Sequence, residues 1–161
     1  MEDTFLKLVT NPLKFSFFLL AKLPAAFFSG VKIVSVSGDT CSVTVPYKWF
    51  SKNPFKSTYF ACLAMAAEMS TGILAMKHTY KRSPAVSMLV TGLEAQYFKK
   101  AVGITTFTCN GGTAIYDAVQ QAVETGQGTS VRAESVGKNE AGELVAVFYI
   151  TWSFKVKNNK E

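Results

Sequence analysis

Ser57-Thr58-Tyr59-Phe60-Ala61-Cys62-Leu63-Ala64-Met65-Ala66-Ala67-Glu68-Met69-Ser70-Thr71-Gly72-Ile73-Leu74-Ala75-Met76-Lys77 decides how the chain folds. The run is rich in alanine, methionine and leucine and holds no proline, a composition that favours helix. It predicts a helix of about five turns over 57–77. Ser57 or Thr58 is the expected N-cap, and basic residues close the C-terminal end. Between Lys56 and Lys77 the only ionised side chain is Glu68. A helix apolar on nearly every side has to be buried on most of its faces.

The flanking sequence supplies what would bury it. Before the helix, Val31–Ser37 and Thr40–Pro46 alternate around Gly38-Asp39 and read as a β-hairpin. After it, Ala85–Lys99 and Val102–Cys109 carry strand patterns, and Asn110-Gly111-Gly112 marks a turn. Thr113–Thr125 has Ile115, Ala118, Val119 and Ala122 on one face and reads as a surface helix ended by Gly126. Thr129–Val136 and Leu144–Val156 form a last hairpin, with Ala146, Phe148, Ile150, Trp152 and Phe154 as the core-facing set. The polar tail from Lys155 to Glu161 is expected to fray. The fold class is therefore α+β: a mostly antiparallel sheet wrapped around one long central helix.

Length and composition agree. The chain has 161 residues, of which 48% are hydrophobic and 17% charged, so most of it is not disordered. With no internal repeat or linker, it reads as one domain over 1–161, made of an N-terminal helical extension (1–24) and a core (30–156). In the extension, Asn11-Pro12 is an N-cap followed by a first-turn proline. It separates a helix at Thr4–Thr10 from a second at Pro12–Lys22. The uncharged run Phe15–Ala21 is far shorter than the roughly 20 residues that span a bilayer. The expectation is that these helices pack on the domain or its partner rather than contact a membrane; the alternative is a monotopic membrane anchor. The three cysteines, Cys41, Cys62 and Cys109, have no metal-ligand spacing and read as small buried hydrophobes. No metal is expected. Their odd number, with no secretory signal, points to a reducing, cytoplasmic setting. A net charge of +6 fits an anionic ligand. Basic residues do not alternate with a regular row of aromatics, so nucleic acid is not an expected partner.

A lone carboxylate in an apolar helix is costly to bury unless it is paired, reaches solvent or does work. Burial raises its pKa toward neutrality, which suits a general base. The start of the same helix offers a second ingredient, free N–H groups near Phe60 and Ala61 that can polarise a carbonyl oxygen. From residue 60 to residue 68 a helix advances about 12 Å. Both features therefore act on one atom only if a second subunit completes the site.

Asn53-Pro54-Phe55-Lys56-Ser57-Thr58-Tyr59-Phe60-Ala61, followed by Glu68, resembles the signature of hotdog-fold acyl-CoA thioesterases of the phenylacetyl-CoA thioesterase-like kind. The overall look is similar to a hotdog branch of unknown function. Those enzymes carry Asn, then His-Gly-Gly, then an acidic residue fifteen positions after the Asn, the spacing of Asn53 and Glu68 here. The likeness covers about residues 30–156. It implies a hotdog fold and an acyl thioester substrate, with coenzyme A present as part of that substrate and no separate cofactor. It also implies a homodimer, with a tetramer as the larger alternative, whose sites lie between subunits. Glu68 matches the catalytic carboxylate and Asn53 the residue that positions water or substrate.

The backbone N–H groups of Phe60 and Ala61 match the family's carbonyl-polarising donors. Tyr59 stands where the family has His, and Phe60-Ala61 where it has Gly-Gly. Gly72, beside Thr71, stands where a Thr or Ser is often found. Tyr59, Phe60, Ala61, Thr71 and Gly72 are thus the expected substrate contacts. Lys81, Arg82, Lys99 and Lys100 are candidates for the coenzyme A phosphates. The loss of His-Gly-Gly keeps a second reading open, a non-catalytic acyl or acyl-CoA binding protein on the same fold.

Overall fold

The computed structural model describes residues 2–157. Three helices open the chain: α1 (Glu2–Val9), α2 (Pro12–Lys22) and α3 (Pro24–Ser29). The hairpin β1 (Lys32–Val36) and β2 (Cys41–Pro46) follows, then a single 3-10 turn at Trp49–Ser51 and the central helix α4 (Phe60–Thr79). The rest is β3 (Val86–Tyr97), β4 (Ile104–Cys109), α5 (Gly112–Thr125), β5 (Thr129–Lys138) and β6 (Leu144–Val156).

The six strands make one antiparallel sheet in the order β1-β2-β4-β5-β6-β3. Its concave face carries Val43 and Val45 from β2, Phe107 from β4, Ala133 from β5 and the row Ala146, Phe148, Ile150, Trp152 and Phe154 from β6, all buried. α4 lies against this face. Its buried residues include Leu63, Ala66, Ala67, Ile73 and Leu74, which sit on more than one side of the helix. This is the hotdog fold, with a sheet curled around one helix. Two polar contacts tie helix to sheet inside the apolar layer. The Ser70 and Ser135 hydroxyls share a hydrogen bond of 2.7 Å, and Trp152 Nε1 donates to Thr71 Oγ1 at 2.8 Å. Gly137 is required where β5 passes Phe107, because a Cβ there would run into the ring.

α5 fills the space beside α4, over β5 and β6, with Ile115, Ala118, Val119 and Ala122 buried. Its first turn is held by Asp39 from the β1–β2 turn, which accepts from Thr113 N at 2.5 Å. In the extension, Asn11 caps α2 as expected, accepting from Lys14 N at 3.0 Å. Phe5, Val9, Phe15 and Leu19 join the core.

Several boundaries differ from the sequence reading, each for a local reason. α4 starts at Phe60, because Ser57 and Thr58 are held extended by the preceding loop and neither caps it. Leu23-Pro24 starts a third helix, α3, ended by Gly30 in the left-handed region at φ 78°. Proline at the first turn of a helix and glycine just past its end are the usual signals for such a short element. β5 extends two residues further, to Lys138, through its pairing with β6. β6 runs to Val156 as expected, with Lys155 and Val156 paired to Ser87 and Val86, so the tail does not begin to fray at Lys155. Lys157 N donates to Ala85 O at 2.8 Å, and residues 158–161 of that tail lie outside the described residues.

Cys41 and Cys109, far apart in sequence, are direct partners across β2 and β4. All three cysteines are buried free thiols. Burial pushes the Cys41 thiol up to about 12, with the facing Cys109 adding to the shift. A thiol-specific reagent at pH 8 is therefore expected to label none of the three cysteines in the folded protein and all three in denaturant. Rapid labelling of the native protein would contradict this packing.

Candidate active site

The start of α4 is built by Asn53. Its Oδ1 accepts from Phe55 N (2.9 Å) and Ser57 N (3.2 Å), and its Nδ2 donates to Ser57 Oγ (3.0 Å). This closes a tight loop in which Lys52 bridges Thr58. Thr58 N then donates to Ala101 O at 2.7 Å and Tyr59 N to Ser51 O at 2.7 Å. The two residues before the helix therefore spend their N–H groups elsewhere. Tyr59 becomes the N-cap and offers no side-chain acceptor. The N–H groups of Phe60 and Ala61, which no turn of helix precedes, are left without an acceptor among the described residues.

Beside this uncapped start lies a groove of about 570 Å³. Phe55, Tyr59, Phe60 and Leu63 form one wall, and Tyr97 with Phe98 the other. Asn53, Lys99 and Lys100 stand at its border. The Tyr59 and Phe60 rings meet edge to face at 4.9 Å. Lys99 pairs with Glu143 at 2.6 Å, and Lys100 Nζ donates to Phe55 O at 3.3 Å. The buried Thr58 hydroxyl in the same wall has no hydrogen-bond partner among the described residues. A second groove, of about 400 Å³, runs between α2 and β1. Its only ionisable lining residue is Lys32.

Glu68 sits two turns further along α4 and does not line the groove of its own protomer. Gly72 makes room for it. A Cβ at 72 would stand 3.1 Å from Glu68 Oε1 and 3.2 Å from the Trp152 ring. Trp152 is held by Thr71, whose hydroxyl in turn donates to the Glu68 carbonyl oxygen at 2.9 Å. The Glu68 carboxylate has neither a hydrogen bond nor an ion pair among the described residues. Burial alone pushes its pKa up from the usual carboxylate range. The result is a proton acceptor strengthened by desolvation and left unengaged.

The carboxylate lies toward one edge of the sheet. Trp152 pairs with Val90 on β3, and β3 has no further neighbour. Beyond a bulge at Thr91, Leu93 and Tyr97 of β3 pair with Ile150 and Ala146 and so share the concave face, yet both are about half exposed. This flank of α4 lies next to an open edge strand.

The residues expected from the sequence thus fall into three groups. Asn53, Tyr59, Phe60, Lys99 and Lys100 gather around the groove, with the Ala61 N–H next to it. Glu68, Thr71 and Gly72 form a second cluster with Trp152. Lys81 and Arg82 lie beyond the opposite end of α4, about 30 Å from its start. There Arg82 donates to Gln120 Oε1 at 2.8 Å, and Lys81 lies over the Tyr80 ring. They are not brought together with the other lysines within one protomer. Sequence reasoning placed Trp152 only in the core and Thr58 only at a cap. Their place at the site depends on pairing across the sheet, which leaves no local signal. Among the described residues no cluster of His, Cys, Asp and Glu is suited to hold a metal.

A family model described as a domain of unknown function, DUF4442, matches residues 13–154. The chain belongs to the DUF4442 family. Solved structures share its fold along nearly the whole length. One is a Pseudomonas aeruginosa protein of unknown function described as a probable thioesterase. It is 19% identical, with a TM-score of 0.75 over 91% of this chain and 97% of that one. A Chlorobaculum tepidum protein of unknown function is likewise 19% identical, with a TM-score of 0.76 over 92% and 99%. A thioesterase from Haemophilus influenzae is 13% identical, with a TM-score of 0.62 over 88% and 90%. No curated protein shows a significant match. At these identities the likeness establishes that the DUF4442 chain is a hotdog protein, and the chemistry has to be argued from its own residues.

Two outcomes follow from the geometry around Glu68. Burial keeps this carboxyl protonated to higher pH in the folded chain than in the unfolded one. Its contribution to stability is therefore complete below the unfolded carboxylate range and is lost as pH rises through its folded pKa. Glu68→Gln is expected to melt at a higher temperature than the parent at pH 8 and at nearly the same temperature around pH 4. A difference that does not grow with pH would contradict an unpaired buried acid. Gly72→Ala is expected to lower the melting temperature, at a cost of about 1–3 kcal/mol for overpacking against Trp152 and Glu68. An unchanged melting temperature would show that the contact is loose.

Proposed function

We propose that this DUF4442 protein hydrolyses acyl thioesters at a site formed between two protomers. The observation that carries the proposal is Glu68: one carboxylate on the buried central helix, unpaired, with its pKa raised by burial, beside an open sheet edge. In the proposed reaction the Glu68 carboxylate takes a proton from water as the water oxygen attacks the thioester carbon. Negative charge develops on the carbonyl oxygen, and the free N–H groups of Phe60 and Ala61 are placed to stabilise it. The tetrahedral intermediate collapses by breaking the carbon–sulfur bond. The thiolate leaves with the proton held by Glu68, and the acid product follows. A carboxylate whose pKa is raised by burial is suited to both steps.

One helix cannot present its start and its eighth following residue to a single carbonyl group, since they are about 12 Å apart. Pairing of β3 with β3 of a second copy would cover the exposed strand edge, Leu93 and Tyr97. It would also bring the Glu68 flank of one protomer toward the groove of the other. The proposed oligomer is therefore a homodimer, from which a tetramer can be built. The groove is apolar along both walls and fits an acyl chain. Lys99 and Lys100 at its border suit the phosphates of coenzyme A, which enters only as part of the substrate. Three buried free thiols fit a reducing, cytoplasmic setting.

One observation favours the second reading, an acyl-binding protein without turnover. Tyr59 and Phe60 stand at the helix start with rings exposed, where they narrow access to the two free N–H groups. Release of free thiol from short, long and aromatic acyl-CoAs distinguishes the two. Hydrolysis is expected, with Glu68→Gln lowering kcat by about 10²–10⁴. Unchanged turnover in that variant would sink the mechanism. A copurifying acyl ligand with no turnover on any thioester would establish the binding protein instead.

A further inference from the structure

We infer that the N-terminal helices and the Trp49–Ser51 turn form a docking surface for an anionic lipid bilayer. This inference is independent of the thioesterase proposal. α2 buries Phe15 and Leu19 against the domain and turns Leu13, Phe17 and Leu20 outward. These three recur at helical spacing and form one stripe, with Leu13 74% and Phe17 72% exposed. α3 packs against α2 and carries Phe28, whose ring meets Phe50 at 5.8 Å; Phe50 meets Trp49 at 6.4 Å, and Trp49 is 80% exposed. So many large exposed apolar side chains on neighbouring elements mark a contact surface rather than ordinary scatter.

Charge selects the occupant. Residues 1–67 hold seven lysines and three acids, Glu2, Asp3 and Asp39, and carry +4 of the net charge of +6. Asp39 is engaged at the start of α5, accepting from Thr113 N. Lys14 neighbours Phe17 on the α2 surface, and Lys22 closes that helix. The Lys48 ammonium lies beside Gly30 at the end of α3, and Lys48 directly precedes Trp49. Aromatic and aliphatic side chains with lysines around them are the pattern of a surface that sits in the headgroup layer of an anionic membrane. A second copy of the chain fits less well. A two-fold interface sets the patch against itself, and residues 12–29 and 48–51 offer no acid to meet Lys14, Lys22 and Lys48. α2 has 11 residues, so the contact is peripheral and nothing in this surface crosses the bilayer. The groove at α4 adjoins the surface, because Ser51 accepts from Tyr59 N and Lys52 bridges Thr58.

The test is flotation of the full chain with vesicles of phosphatidylcholine alone and of phosphatidylcholine mixed with phosphatidylglycerol, at low and high salt. Binding to the mixed vesicles is expected, with salt sensitivity and a blue shift of Trp49 fluorescence that is absent in Trp49→Phe. Phe17→Ser with Trp49→Ser should weaken binding at least about tenfold. Lys14→Gln should weaken it roughly fivefold for the charge removed. All these positions are exposed, and circular dichroism checks that the variants fold. Failure to float with the mixed vesicles would overturn the inference, and so would equal binding to neutral vesicles. If Phe17→Ser with Trp49→Ser instead lowers the oligomer mass in sedimentation while vesicle binding is absent, the patch is an interface between copies.

Discussion

A twenty-residue helix with no polar face has to be enclosed on nearly every side, and most of this structure is arranged to enclose α4. The sheet covers its concave side, α5 fills the space beside it, and α1 and α3 close further parts of its surface. Cross-links within this packing are few and polar, such as the Ser70–Ser135 pair and the Trp152–Thr71 bond. Each satisfies a buried donor that would otherwise oppose burial. Against that background a carboxylate on α4 is an exception that needs a reason. Gly72 leaves space for it, Trp152 walls it, and no group among the described residues neutralises it.

The same enclosure separates the functional features. The chain before α4 is pulled taut by Asn53 and by the bonds of Thr58 and Tyr59, which removes any side-chain cap and leaves donors free at Phe60 and Ala61. The groove opens there, while Glu68 lies along the helix toward β3. An edge strand of twelve residues with half-exposed Leu93 and Tyr97 is an incomplete surface. On the proposed reading, one event, pairing across β3, repairs that edge and assembles the site.

Much of the fold was legible because its signals are local. Period-two alternation marked the strands, and the apolar run with a single acid marked α4. Asn11-Pro12 marked the break between the first two helices. Signals that depend on distant partners were not legible. Ser57 and Thr58 look like caps, but the loop formed by Asn53 and the carbonyl of Ala101 hold them extended. Cys41 and Cys109 look unrelated until β2 and β4 are laid side by side. The site was legible in part for the same reason. The Asn53–Glu68 spacing is a sequence property, whereas the place of Trp152 beside Glu68 and the separation of Lys81-Arg82 from the groove come from how the helix lies on the sheet. Which face of α2 stays exposed was hidden too, since it depends on how the helix lies against the domain.

The central claim is that Glu68 is held in the folded protein as an unpaired, desolvated acid. Carbon-13 labelling of the glutamate side chains, with each Cδ resonance followed through a pH titration, tests it directly. One resonance is predicted to titrate above the ordinary glutamate range and to vanish in Glu68→Gln. If every glutamate titrates within or below the ordinary range, the carboxylate is solvated or paired, and the account of this site is contradicted.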